Sequence, residues 1–149
     1  MTLMLVLAMG CTKTKDATPE DTQVEDTQPV VELGTITGRV IWPGTGLTDQ
    51  STLHISMKAS DWDIWQNSDY REEHPNPTLP FDYSIEAPAG TYNIGGFVDL
   101  TGDSPGGPGQ GDPEGLSRDD NGPALITVIV GETSEAPPIS LRVKDQDGQ

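Results

Sequence analysis

The sequence predicts an all-β fold, an antiparallel Greek-key β-sandwich of about seven short strands. Proline and glycine, 13 and 17 residues in a chain of 149, interrupt the sequence at short intervals, and such spacing disfavours long helices. Between these interruptions, apolar and polar residues alternate or β-branched residues cluster, as they do in strands that bury one face. The segment 33–144 is long enough for one domain of this kind.

Each strand is predicted from its own short pattern. The clearest pattern places Leu53, Ile55 and Met57 on one face of a strand, with His54 and Ser56 on the other. The predicted strands cover residues 34–42, 53–59, 81–86, 90–100, 124–130 and 139–143. The segment 60–80 has no clean period, so we expect a long connection there that can include a helical turn over 61–66.

Two of these patterns resemble a known family. The opening strand Gly34-Thr-Ile-Thr-Gly38-Arg-Val and the later turn Ala87-Pro-Ala-Gly90-Thr-Tyr92 are similar to the corresponding segments of carboxypeptidase regulatory-like or transthyretin-like domains. In such a turn, proline sets the first bend, and glycine can take a positive φ before the next strand begins. The resemblance implies a β-sandwich from Gly34 to about Val143. It says almost nothing about activity.

The N-terminus carries an apolar block, residues 3–10, followed by Cys11, the only cysteine of the chain. As a helix the block would be about 12 Å long, which is too short for a hydrocarbon core of about 30 Å. It resembles the end of a bacterial lipoprotein signal peptide, and this implies that Cys11 is lipidated and begins the mature protein. Thr12 in place of aspartate implies the outer membrane. No Lys or Arg precedes the block, so we expect the signal peptide to begin upstream.

Residues 11–32 are rich in Thr, Asp, Glu, Gln and Pro, and they predict an acidic disordered tether, because such a segment cannot bury enough apolar surface to fold. A short disordered tail is expected at 145–149. The formal net charge is −16. This excess of acids argues against a nucleic-acid partner, which requires a basic surface, and against direct adhesion to anionic headgroups. We expect the lipid anchor to provide the contact with the membrane.

An acidic, glycine-rich loop over 99–122 is the most suggestive segment chemically. Six carboxylates there face one base, Arg118. Calcium binds six to eight hard oxygens in a flexible geometry, and oxygens at alternate positions begin a calcium loop. The candidate ligands are Asp99, Thr101, Asp103, Asp112 and Glu114. Two alternatives remain: a loop whose acids simply face water, and a loop that contacts a partner protein.

Other candidate sites are weaker. Trp62 and Trp65 could stack on a sugar, although tryptophans in such places more often cover the end of a core. His54 lies on the polar face of its strand beside Ser56, and His74 lies in a turn. Two histidines without a free thiol make a zinc centre improbable, and the sequence contains no G-x-S-x-G motif for a hydrolase.

These observations together predict a non-enzymatic surface or periplasmic lipoprotein of the bacterial outer membrane. Its β-sandwich would bind or space a second component, an envelope protein or a polysaccharide, with calcium as the one cofactor suggested. The alternatives are a small cell-envelope hydrolase that uses His54 or the acid cluster, and a carbohydrate-binding module.

Overall fold

A computed structural model describes residues 31–59, 64–65, 68–104 and 106–143. These residues form strands and loops without a helix, which confirms the predicted all-β sandwich. The strands are β1 Leu33–Ile41, β2 Thr52–Ala59, β3 Tyr70–Pro75, β4 Phe81–Pro88, β5 Gly90–Asp99, β6 Pro113–Leu116, β7 Arg118–Asp119, β8 Gly122–Pro123, β9 Ile126–Val128, β10 Thr133–Glu135, β11 Ile139–Ser140 and β12 Arg142–Val143. In the part of the chain described, no helix is long and apolar enough to cross a membrane.

Two sheets make up the sandwich. In the first, which we call the β1 sheet, β1 pairs with antiparallel β4 on one side and with parallel β10 and β11 on the other. In the second, the β5 sheet, β5 pairs with β2 on one side and with β6 and β9 on the other, while β3 and β12 form the outer strands. All pairs in the β5 sheet are antiparallel, and β7 and β8 form a separate small ribbon.

The hydrophobic core lies between the two sheets. The inward residues of β1 and β4, such as Ile36, Val40 and Ile85, meet those of β2 and β5, such as Ile55 and Ile94, and all of them are buried. They occupy alternate positions along their strands, as the sequence predicted. The alternation that defines the inner faces therefore also fixes which residues point outward from each sheet.

The segment 60–80 differs from its prediction, because it contains a strand. β3 pairs with β2 over six positions, from Thr52 opposite Pro75 to Met57 opposite Tyr70. Its sequence, YREEHP, is polar at both alternating sets of positions, so no period of two marks it as a strand. An outer strand needs only one partner and a half-buried face. Of the predicted turn over 61–66, only Ile64 and Trp65 are described, and they form a turn.

The sandwich has two distinct ends. At the Leu33 end, the start of β1 lies beside the end of β4 and the turn 129–132, since Leu33 pairs with Pro88 and its carbonyl accepts a hydrogen bond from the Gly131 amide at 2.9 Å. At the opposite Asp99 end, β5 finishes next to the start of β2, and the loop 100–112 begins there. The segment predicted to be a tether therefore leads into the Leu33 end. Of the loop predicted over 99–122, only the part over 100–112 is a loop at the far end, because the chain after it forms β6, β7 and β8.

Candidate functional site

Asp99 organises the start of the acidic loop. Its side chain is buried at the end of β5, where Oδ1 accepts hydrogen bonds from the amides of Thr101, Gly102 and Asp103 at 3.1, 2.7 and 3.3 Å. Its Oδ2 accepts a fourth, from the Ser104 amide, at 2.8 Å. Burial by itself raises the pKa of this carboxyl, but the four N–H donors outweigh that effect and hold the pKa below its ordinary value. Asp99 is therefore a charged acceptor that fixes the loop.

Asp112 closes the same loop from its other end. This carboxylate is also buried; Oδ1 accepts a hydrogen bond from the Leu100 amide at 3.0 Å and Oδ2 accepts one from the Gly109 amide at 2.8 Å. Because Leu100 follows Asp99 directly, the two carboxylates hold the start and the finish of the loop together. The acids at its two ends thus serve as acceptors for six backbone N–H groups of the loop.

The remaining candidate calcium ligands lie close by in the chain but in different surroundings. Asp103 is exposed, and its Oδ1 accepts hydrogen bonds from the hydroxyls of Thr101 and Ser104 at 2.7 and 3.1 Å. Glu114 lies on β6, in register with Phe97. No three Asp, Glu, His or Cys side chains of the described residues are grouped as metal ligands are. Oδ1 of Asp99 accepts three N–H bonds, whereas Oδ2 accepts one of the about two that a carboxylate oxygen can take. Calcium binding stays a prediction.

The outer face of the β5 sheet carries a second cluster, centred on Phe97. The ring of His54, only 3% exposed, stacks on the Phe97 ring with centroids 4.5 Å apart and an interplanar angle of 8°. Trp65 meets the same ring edge-on at 5.5 Å, and the Arg71 guanidinium lies 5.4 Å from its centroid. Nδ1 of His54 is 3.4 Å from Oε1 of Glu73 on β3. Ile64 lies over Gly95, and Trp65 lies between Phe97 and Gly107 of the acidic loop, so the cluster is an interior one.

The surroundings of His54 favour its neutral form. Burial lowers the pKa of the imidazole most, and the charge of Arg71 lowers it further. The carboxylates of Glu73, Asp99 and Asp112 act in the opposite direction without reversing the shift. A buried neutral imidazole that is stacked on phenylalanine has a packing role in this arrangement, and it could act as a base only if the covering loops opened.

Sequence reasoning found part of this cluster. It placed His54 and Ser56 on one face, and Ser56 is fully buried there, its hydroxyl without a hydrogen-bond partner among the described residues. It missed Phe97, Arg71 and Glu73, because Glu73 lies opposite His54 only once β3 is known as a strand. The prediction that the second histidine, His74, lies in a turn is wrong, because His74 belongs to β3 and pairs with Leu53. It is half-buried and lies 3.2 Å from a carboxylate oxygen of Glu72.

Two of the predicted residues, Cys11 and Trp62, lie outside the described residues, and Trp65 is half-buried. Lipidation and sugar binding therefore stay predictions.

A cleft of about 540 Å³ opens on the other sheet, where β10 ends and the Pro137–Pro138 segment leads into β11. It is lined by Thr37, Gly38, Arg39, Asp82, Tyr83, Glu135, Ala136 and Pro138. The Tyr83 ring lies against Gly38, and its hydroxyl is buried with no hydrogen-bond partner in the described part of the chain. Burial raises the pKa of this phenol. Arg39 and Asp82 form a two-bond ion pair at the rim, at 2.5 and 2.9 Å.

Comparison with protein-family models, with curated proteins and with solved structures finds no match to this chain. The resemblance to carboxypeptidase regulatory-like domains therefore stays a prediction from the two turn and strand motifs.

Proposed function

We propose that this chain is a non-enzymatic lipoprotein of the bacterial cell envelope, anchored through Cys11, whose β-sandwich binds or spaces an envelope protein or polysaccharide. One observation carries the choice of a binding or spacing role over catalysis. The side chains best suited to chemistry are used inside the fold: Asp99 and Asp112 accept backbone N–H bonds, and His54 is stacked beneath covering loops.

The cleft beside Tyr83 supports a binding role. It combines an aromatic floor with a guanidinium, two carboxylates and a threonine hydroxyl, so donors and acceptors for a hydroxyl-rich or peptide-like ligand meet in one place. The Tyr83 hydroxyl also lacks a hydrogen-bond partner among the described residues. Because that hydroxyl is buried, a ligand would instead meet the guanidinium, carboxylate and threonine groups that line the cleft.

Calcium remains a secondary part of the proposal. Because the oxygens of Asp99 already accept four N–H bonds, a cation at this end of the molecule would rely mainly on Asp103, Asp112 and Glu114. Such a site would be weak, because its ligands come from an exposed side chain and from carboxylates that already have other partners.

The anchor is tested by replacing the cysteine. Cys11→Ser should remove labelling by a fatty-acid probe and release the protein from the membrane fraction, whereas Thr12→Ser should change neither. Both variants keep any native codons that precede Met1, so that export is the same. If Cys11→Ser labels and fractionates like the unaltered protein, the anchoring proposal is wrong.

A hydrolase is the second candidate, and one observation favours it. His54, Ser56 and Glu73 lie on the same face of the β5 sheet, with Nδ1 of His54 3.4 Å from the Glu73 carboxylate. A fluorophosphonate probe, which reacts with activated serines, separates the two candidates. We expect no labelling, because Ser56 is fully buried. Labelling that Ser56→Ala abolishes would favour the hydrolase.

A further inference from the structure

Two aliphatic side chains are exposed at a tight turn at the Leu33 end. Ile129 and Val130 are 48% and 41% exposed. The turn closes through a hydrogen bond from the Glu132 amide to the Ile129 carbonyl at 3.1 Å, and Gly131 takes a φ of +73°. Turns of this kind favour Gly, Pro, Asn, Asp and Ser. Isoleucine and valine add no turn propensity here, and both side chains lie largely outside the core.

The start of β1 adds two more exposed aliphatic side chains at this end. Val31 and Leu33 are 59% and 40% exposed, and the Gly131 amide donates to the Leu33 carbonyl. We call these four residues, Val31, Leu33, Ile129 and Val130, the aliphatic end. Isolated exposed aliphatic residues are common on proteins. Here four of them lie at the one end from which the predicted tether leaves.

We propose that the aliphatic end docks on the surface of the lipid bilayer to which the chain is anchored; this inference rests on the proposed lipidation of Cys11. About 20 residues separate Cys11 from Val31, and a flexible tether of that length has a mean span on the order of 25 Å. A short tether holds its cargo at an effective concentration in the millimolar range. Even weak contacts by four aliphatic side chains then hold the end against the bilayer.

The negative charge of the chain determines which lipid headgroups the aliphatic end can approach. Glu32 and Glu132 are exposed beside the aliphatic end, and the net charge is −16. Anionic headgroups would repel this surface, whereas zwitterionic headgroups would not. The docked orientation would point the loop 100–112 away from the membrane, toward a partner.

Hydrogen exchange of the acylated full chain tests the docking. The protein is reconstituted in vesicles of phosphatidylethanolamine and phosphatidylcholine, and exchange is followed in the peptide spanning 126–133. We expect exchange there to slow by about tenfold relative to the non-acylated Cys11→Ser protein, as tethered binding would produce, and to slow less when phosphatidylglycerol is added.

The double variant Ile129→Ser, Val130→Ser should lose the slowing and remain in the membrane fraction. The matched control, Ile41→Ser with Val143→Ser, alters exposed aliphatic residues at the other end and should keep it.

The outcomes separate the docking from the anchor. An acylated chain whose peptide 126–133 exchanges at the same rate with and without the anchor overturns the docking and leaves the anchor standing. A chain that is not acylated overturns the anchor and the docking that rests on it. If the exchange of the peptide 126–133 is still slowed in the double variant Ile129→Ser, Val130→Ser, the docking is also overturned. The same holds if exchange at 99–112 slows as much as exchange at 126–133. Slowing found in native envelopes but not in vesicles shows a protein occupant, which contradicts the lipid proposal.

Discussion

The two sheets of this sandwich use their outer faces differently, and a pair of aspartates shows the difference. Asp99 on the β5 sheet is buried and accepts four backbone N–H bonds, whereas Asp82 on the β1 sheet is exposed and pairs with Arg39. Hydrogen bonds with these partners keep the pKa of both carboxyls below the ordinary value. The carboxylate of Asp99 therefore fixes a loop, whereas the carboxylate of Asp82 forms an ion pair on the surface.

The comparison teaches that a lowered pKa alone does not identify an important carboxylate. At Asp82 the Arg39 guanidinium lowers the pKa, but water can solvate both charges when the pair is broken. At Asp99, the carboxylate is itself buried, and its loss removes the acceptor of four N–H bonds at once. The covered face of the β5 sheet should consequently depend on its polar residues for stability, and the open face of the β1 sheet should not.

The largest effect should come from removing the Asp99 carboxylate. We expect Asp99→Ala to lower the free energy of unfolding by about 3 kcal/mol, because four hydrogen bonds to a buried, charged acceptor are lost, and to lower Tm by on the order of 15 °C. Asp82→Ala should leave Tm nearly unchanged. Thermal melts of the two variants at pH 7 measure the contrast directly. Equal losses in both would break the distinction between the two faces.

The β1 sheet should instead be sensitive on its inner face, at Gly38. A Cβ there would lie 2.5 Å from Cζ and 2.9 Å from Cε1 of Tyr83, and it would also meet the hydroxyl. We expect Gly38→Ala to cost about 2 kcal/mol through overpacking. Gly106→Ala, where a Cβ meets nothing within 4 Å, is the matched control and should change stability by less than about 0.5 kcal/mol.

Tyr83→Phe sharpens this test. It removes a buried hydroxyl that has no hydrogen-bond partner among the described residues, so by itself it should be neutral or slightly stabilising. In the Gly38→Ala background it should recover part of the loss, because one of the colliding atoms is gone. Chemical denaturation of the single and double variants gives the coupling between the two sites. Strong destabilisation by Tyr83→Phe alone would show that the hydroxyl has a partner, such as an ordered water.

Much of the sandwich could be predicted because its central strands alternate apolar with polar or small residues, although β2 and β5 bury both faces in the structure. Residues 53–59 and 90–100 alternate cleanly, and the structure places β2 and β5 there within one residue at each end. β3 could not be predicted from alternation, because an outer strand of charged residues has no apolar face to show a period. Residues 124–130 were predicted as one strand, but the chain turns at 129–132, and β9 keeps only three residues.

The site was harder to predict than the fold, for a physical reason. The acids of the loop were found by composition, but composition does not show whether a carboxylate faces a cation, water or the backbone. The sequence Asp-Leu-Thr-Gly-Asp-Ser at 99–104 does contain a usable signal, since aspartate commonly accepts N–H bonds from the residues that follow it in a turn. The stacking of His54 on Phe97 joins residues 43 positions apart, and it depends on strand register.

A smaller effect should appear in the dependence of stability on pH. Burial lowers the pKa of His54 below its ordinary value of 6.5. As the pH falls through 6.5, the unfolded chain takes up a proton at His54 before the folded protein does, so stability should fall with decreasing pH in that range. The contribution of Asp99 acts elsewhere: it is fully present above the ordinary pKa of 3.8 and is lost only as the pH falls further.

Melts between about pH 7 and pH 5 isolate the histidine, because carboxylates with ordinary pKa values stay charged over most of that range. We expect Tm of the unaltered protein to fall across this interval, and His54→Gln to flatten the slope even if it lowers Tm at every pH. His74→Gln is the control and should retain the slope. A slope that survives His54→Gln would show that the covered face of the β5 sheet does not set the pH response.

Calcium should have the smallest effect, because the strongest acceptor at the Asp99 end is already occupied. A site built from the remaining oxygens near Asp103 would resemble weak extracellular calcium sites, with a Kd of about 1 mM. At about 2 mM calcium this gives about 0.6 kcal/mol of added stability, a rise in Tm of about 3 °C. Asp103→Asn should remove the rise, whereas Asp119→Asn, which alters an exposed acid of the β7–β8 ribbon, should keep it.

If Tm does not change with calcium up to about 10 mM, the acids serve only as acceptors for the N–H groups of the loop. A rise above about 10 °C would require Asp99 to exchange its N–H partners for the cation, which would end the contrast between Asp99 and Asp82.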